Sequence, residues 1–101
     1  MSRVEATPGR RSFLGRRLPP SLQLRVVAVA PGHARAYDDA EWRDAIVVVE
    51  GGEIELEWLG GSRRRFGHGE VLWLDGLQLR ALRNRGRDPA VLVAVSRRVQ
   101  G

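Results

Sequence analysis

The chain contains no cysteine and no lysine, has only two histidines, and its aromatic residues amount to three Trp, two Phe and one Tyr. Without cysteine there is no disulfide, no thiolate nucleophile and no cysteine-type zinc site, while the redox compartment stays open. Apolar runs such as residues 45–49 fall far short of the roughly 20 residues that cross a bilayer as a helix. No membrane segment is expected. At 101 residues the chain has room for one small core, which excludes multi-domain enzymes.

What the chain has is arginine. All 17 basic residues are Arg, against 12 acids, for a formal charge of +5. A GC-rich coding sequence accounts for Arg without Lys, and the distribution matters more than the total. Residues 1–25 carry Arg3, Arg10, Arg11, Arg16, Arg17 and Arg25 against Glu5, whereas the remaining residues balance their Arg and acids. The excess belongs to a leader, and six arginines with one interleaved Phe make a modest phosphate footprint, so nucleic acid is not the expected partner. The segment Arg10-Arg11-Ser12-Phe13-Leu14-Gly15 resembles a twin-arginine export signal. It is followed by Arg16-Arg17-Leu18-Pro19-Pro20, where such a signal requires an uncharged apolar stretch. The expectation is a cytoplasmic protein with a flexible basic N-terminal arm over residues 1–20 and one domain over residues 21–101.

From Leu22 onward the texture is short apolar or alternating runs punctuated by glycine. Strands are predicted over residues 21–30, 45–50, 53–59, 63–66, 70–74, 77–83 and 90–98. Residues 53–59 alternate strictly, with Glu53, Glu55 and Glu57 on one face and Ile54, Leu56 and Trp58 on the other. The three glutamates face Arg63 and Arg65 across the Gly60-Gly61 turn, a pattern read as a solvated cross-strand charge ladder. So many short strands joined by tight turns imply an all-β antiparallel sandwich or barrel. The runs Ile46-Val47-Val48-Val49 and Val91-Leu92-Val93-Ala94-Val95 are apolar on both faces. Something must cover the second face; a partner subunit and the N-terminal arm are the available covers, and a homodimer is the inference drawn.

The spacing of residues 32–51 and 69–84 resembles the two motifs of the cupin superfamily, small double-stranded β-helix (jelly-roll) barrels. The first motif runs Gly, five residues, His-x-His, three or four residues, Glu, six residues, Gly. Gly32, Asp38, Ala40, Asp44 and Gly51 occupy those places here. The second runs Gly, five residues, Pro-x-Gly, two residues, His, three residues, Asn, and is matched by Gly69, Asp75-Gly76-Leu77, Arg80 and Asn84. The resemblance covers roughly residues 22–98 and implies a single antiparallel cupin jelly roll behind the flexible arm.

In metal-binding cupins the two His and the Glu of the first motif and the His of the second hold a divalent ion. Those four positions are Asp38, Ala40, Asp44 and Arg80 in this chain. All imidazoles are gone, one position has no donor atom and another carries a positive charge, so no metal and no cofactor are expected. Neither His33 nor His68 is placed to rebuild the site. The resemblance would point Arg80 into the barrel towards Asp38 and Asp44, as an internal ion pair in place of a metal or as a grip on a ligand's carboxylate, phosphate or hydroxyl. Trp73, alternating with Val71, is read as core, with a stacking surface for a sugar or base as its functional alternative. Trp42 is expected across the barrel mouth or in a subunit contact. The hypothetical interior ligand-binding set is therefore Asp38, Asp44, Arg80 and Trp73, with no catalytic residue assigned.

These features imply a non-catalytic cupin, homodimeric, binding a small molecule such as a sugar or organic acid or a protein partner. The alternative is a metal-independent isomerase or epimerase, whose chemistry needs an acid–base pair in the cavity.

Overall fold

The computed structural model describes residues 19–97. Of the expected arm only Pro19 and Pro20 fall among them; residues 1–18 lie outside the described residues. Eight strands and one helical turn follow in the order β1 (Leu22–Val29), β2 (Ala34–Ala36), α1 (Asp39–Trp42), β3 (Ala45–Gly51), β4 (Glu53–Trp58), β5 (Arg63–Gly67), β6 (Val71–Trp73), β7 (Leu79–Arg83) and β8 (Ala90–Arg97). They make two antiparallel four-stranded sheets, ordered β1-β8-β3-β6 and β2-β7-β4-β5. The molecule is the expected all-β jelly roll. β2 and α1 are additions: Ala34-Arg35-Ala36 is exposed throughout and carries no apolar alternation, and it is a strand because β7 offers it a ladder.

The inner faces of the two sheets form one core. Sheet one contributes Val27 and Val29 from β1, Val47 and Val49 from β3, Leu72 from β6 and Leu92 from β8, and sheet two contributes Ile54, Leu56, Leu79 and Leu82. The outer faces differ completely. On sheet two, Glu55 and Glu57 are buried beneath arginines: Arg85 reaches Glu55 at 2.7 Å, Arg83 reaches Glu57 at 2.7 Å, and Arg63 stands 4.0 Å from Glu57. Only Glu53, paired with Arg65 at 3.4 Å, is the solvated rung that the alternation predicts. The cover comes from β7 and the loop behind it, too far along the chain for a hairpin argument to find.

On sheet one the central outer positions are apolar. Cross-strand pairing places Leu24, Val95, Ile46 and Trp73 in one row and Val26, Val93, Val48 and Val71 in the next. Val26, Ile46, Val71 and Trp73 are each about half exposed or more.

One residue ties the ends of the two sheets together. Asn84, fully buried, donates its side-chain N–H groups to the carbonyls of Val29 and Asp88 and accepts from the Gly86 N–H. Its backbone N–H and C=O bond to His33 and Gly32. A buried amide with its groups matched in this way fixes the loop without a desolvation penalty.

The β3–β4 turn depends on Gly52. Its φ is +68°, and a Cβ there would stand 2.4 Å from the Pro89 carbonyl oxygen. The left-handed backbone and a clash with main chain, which cannot rotate away, both oppose a side chain. Gly52→Ala is expected to cost about 3 kcal/mol, read as a fall in the midpoint of chemical denaturation.

Candidate functional site

Polar side chains gather at one end of the barrel. The inner face of β1 reads Gln23, Arg25, Val27, Val29, so the core gives way to an amide and a guanidinium as the strand nears its start. Ser96 on β8 faces the same end, opposite Gln23. α1 stands beside this mouth. Asp38 caps it, accepting from the Ala40 N–H at 3.1 Å. After one turn the chain extends again at Arg43 and passes through Asp44 at φ 56°, whose N–H donates to Asp75 at 3.0 Å. The resulting cavity, about 810 Å³, is walled by β1, β8, the start of β3, the segment 40–44 and the edge of Trp73.

Glu41 is the electrostatic centre of the mouth. Arg25 donates to its carboxylate at 3.2 Å and to its main-chain carbonyl, and Arg35 forks onto both carboxylate oxygens. The Arg25 guanidinium also lies 4.9 Å from the Trp42 ring, a cation–π contact over an indole that is itself fully buried. Trp42 is thus part of the core under the mouth. Hydrogen bonding from Arg35, then its charge and that of Arg25, holds the Glu41 carboxyl below its ordinary value against the opposing effect of burial. Tyr37 packs against the core and donates to Asp39 at 3.2 Å. Burial first, and then the Asp39 carboxylate, push its hydroxyl up to about 12.

Of the four residues assigned to the interior from the sequence, the structure brings two to the mouth. Asp44 and Trp73 line the cavity. Asp38 does not: on β2 and the residue after it, Arg35 and Tyr37 take the inner side, leaving Asp38 exposed as a helix cap. Arg80 is the larger correction. Register slips between β4 and β7, where Glu57 faces Ala81 but Trp58 faces Leu79, and Gln78 just before adopts φ 57°. The bulge seats Leu79 in the core, as well as Leu82, and turns Arg80 out. There it donates to the Leu59 carbonyl at 2.9 Å and lies 4.0 Å from Glu57, well exposed. Trp73 is corrected too. It pairs with Ile46 on the outer face and is 52% exposed, while Leu72 and Leu74 fill the core positions assigned to it.

The metal of the cupin fold does not fit these residues. Ala40 offers no donor, Asp38 is spent on a cap, and Arg80 is on the other sheet's outer face. Among the described residues no three His, Cys, Asp or Glu side chains stand close enough together to share an ion. The groups that sequence reasoning missed, Gln23, Arg25, Arg35 and Glu41, had one usable signal: two polar residues at the inner positions of an otherwise apolar strand mark where a barrel opens.

Two facing jelly-roll sheets with a polar mouth at one end define the cupin fold. The solved structures bear this out. The chain is similar to the cupin domain of an XRE family transcriptional regulator from Enterobacter cloacae, at 22% identity and a TM-score of 0.59 over 79% of this chain and 84% of that one. A cupin 2 conserved barrel domain protein from Salinispora arenicola matches at 22% identity and TM-score 0.59 over 80% of this chain and 69% of that one. Protein NMB1881 from Neisseria meningitidis matches at 12% identity and TM-score 0.58 over 81% and 79%. No protein-family sequence model and no curated protein matches the sequence. At such identities the likeness is one of fold.

The Glu41 contacts carry a pH signature. A carboxyl whose folded value lies below the usual 4.5 stabilises the fold fully above 4.5 and loses that contribution as pH falls through its folded value. Glu41→Gln is therefore expected to be less stable than the wild type at neutral pH, with the gap shrinking in acid. Denaturant midpoints measured across the acid range check this; a gap independent of pH would contradict it.

Proposed function

We propose that the chain is a cytoplasmic, metal-free cupin module that binds a small polar ligand, a sugar or an organic acid, in its barrel mouth, works as a homodimer and catalyses no reaction itself. The mouth carries the reading. Its wall offers guanidinium groups from Arg25, Arg43 and Arg97, the Asp44 carboxylate, the Gln23 amide and the Ser96 hydroxyl, around a volume suited to a small molecule. Such a set hydrogen-bonds hydroxyls and carboxylates well. The metal-independent isomerase reading needs an acid–base pair there. The Tyr37 hydroxyl, at about 12, is far from neutrality, and His33 and His68 are not in the wall.

The apolar outer face of sheet one supports the dimer. Val26, Ile46, Val71 and Trp73, each about half exposed or more, surround the buried Val48 and Val93 and form an apolar patch without a charged side chain in its two central rows. That is a fitting core for an interface that needs about 800 Å² per partner. A second copy brings the same surface, so the match is self-complementary by symmetry. Val71 is 63% exposed and adds little to the subunit's own core. The wild type is expected to sediment as a dimer and Val71→Arg as a folded monomer; a monomeric wild type would overturn this part.

The ligand reading is tested by elemental analysis of the purified protein and a thermal-shift screen of sugars, organic acids and divalent metals. A ligand present at a hundred times its Kd adds about 2.7 kcal/mol, a readily measured rise in Tm. The expected result is a shift with a sugar or an organic acid, reduced in Arg43→Gln. Stoichiometric iron, manganese, nickel or zinc, or no shift with any sugar or acid, would contradict it.

A further inference from the structure

A second opening lies between the sheets, at the edges formed by β5 and β6. On β5, Arg63 and Arg65 point to the outer carboxylates, so alternation turns Arg64 inward, opposite Leu56. Leu56 is core. Arg63, Arg65, Arg80, Arg83 and Arg85 each stand within 4.0 Å of a glutamate oxygen. Arg64 has no carboxylate partner among the described residues, and its guanidinium carbon lies over the Phe66 ring at 5.3 Å. It stands at a cleft of about 260 Å³ lined by Trp58, Phe66, Leu72, Leu74 and Leu77. The cleft shares only Trp73 with the mouth cavity.

We infer that this cleft binds a small amphipathic monocarboxylate: one aromatic ring or a short aliphatic chain bearing a single acid group. The apolar body covers the partly exposed Trp58, Phe66 and Leu77 above the buried Leu72 and Leu74, and the carboxylate meets the guanidinium fork on the aromatic face. Each half of the ligand answers a feature that the other cannot. A neutral hydrocarbon would leave Arg64 without a counter-charge, and a sugar or inorganic anion would strand polar groups against leucine. The volume, just under the range of about 300–1,000 Å³ for small-molecule pockets, limits the ligand to one ring or a short chain. This site is independent of the ligand proposed for the mouth.

The test is titration of the full chain with phenylacetate and with its neutral isostere phenylacetamide, followed by calorimetry and by the Trp58 indole N–H resonance. Phenylacetate is expected to saturate, to shift Trp58, and to bind about tenfold more weakly to Arg64→Gln, the loss of one charge-assisted contact. Phenylacetamide is expected to bind weakly and equally to both proteins. Arg43→Gln, altered at the mouth, is expected to bind phenylacetate like the wild type, which separates this site from the other. Because Arg64 is exposed and outside the core, Arg64→Gln is expected to keep the wild-type Tm, and Arg64→Lys to recover part of the affinity. Absence of saturable phenylacetate binding, or equal affinity in Arg64→Gln, would overturn the inference. So would a loss of phenylacetate binding in Arg43→Gln.

Discussion

Side chains on a strand belong to one of two faces, and a single extra residue in a ladder exchanges those faces. The rest of this molecule depends on that constraint. In β7 the bulge opposite Glu57 and Trp58 lets both Leu79 and Leu82 enter the core, and the consequence is that Arg80 leaves it. A guanidinium inside an apolar barrel would have to be matched by buried carboxylates, at a desolvation cost that such pairs often fail to recover. Outside, it meets the Leu59 carbonyl and the edge of the Glu57 cluster while still in water. The position that would complete a metal centre in the fold thereby becomes part of a surface network.

The same alternation separates the two sheets chemically. Sheet two is apolar inside along β4 and β7, and its outer glutamates lie beneath arginines, so the charges of that outer face are matched within the subunit. Glu57 alone has Arg83, Arg63 and Arg80 around it, and the hydrogen bond from Arg83 leads in holding its carboxyl below the ordinary value. On sheet one the two central outer rows are apolar, and Val26, Ile46, Val71 and Trp73 in them stay about half exposed or more. The polarity of the barrel is concentrated at the mouth, where Glu41 gathers Arg25 and Arg35 and fastens α1 to the start of β1 and to β2. The proposed function follows that division, with small polar molecules at the mouth and a second subunit on sheet one.

Much of the fold was legible in the sequence. The period-two alternation of residues 53–58, the glycine punctuation and the doubly apolar runs of β3 and β8 arise from local steric rules and from burial, which single residues declare. Asn84 also fell at a position marked by motif spacing, and it is the buried hinge of the loop. The side-chain directions at Asp38, Trp73 and Arg80 were not legible. Each follows from a register or a bulge set by a strand elsewhere in the chain: β7 for the short β2 that leads to Asp38, β3 for Trp73, β4 for Arg80. The inner pair Gln23 and Arg25 was readable in principle, since polar residues at core parity need a reason. Their partner Glu41 sits on a helical turn with no periodic signal.

The central claim, that the bulge turns Arg80 out and Leu79 in, can be measured directly because the chain has no native cysteine. Single-cysteine variants Arg80→Cys and Leu79→Cys, labelled with a maleimide under native conditions, report which side chain meets solvent. The account predicts that the thiol at position 80 reacts as fast in the folded protein as in the unfolded chain, while the thiol at position 79 is strongly protected. Protection at position 80 with free reaction at 79 would place the guanidinium inside the barrel and contradict it.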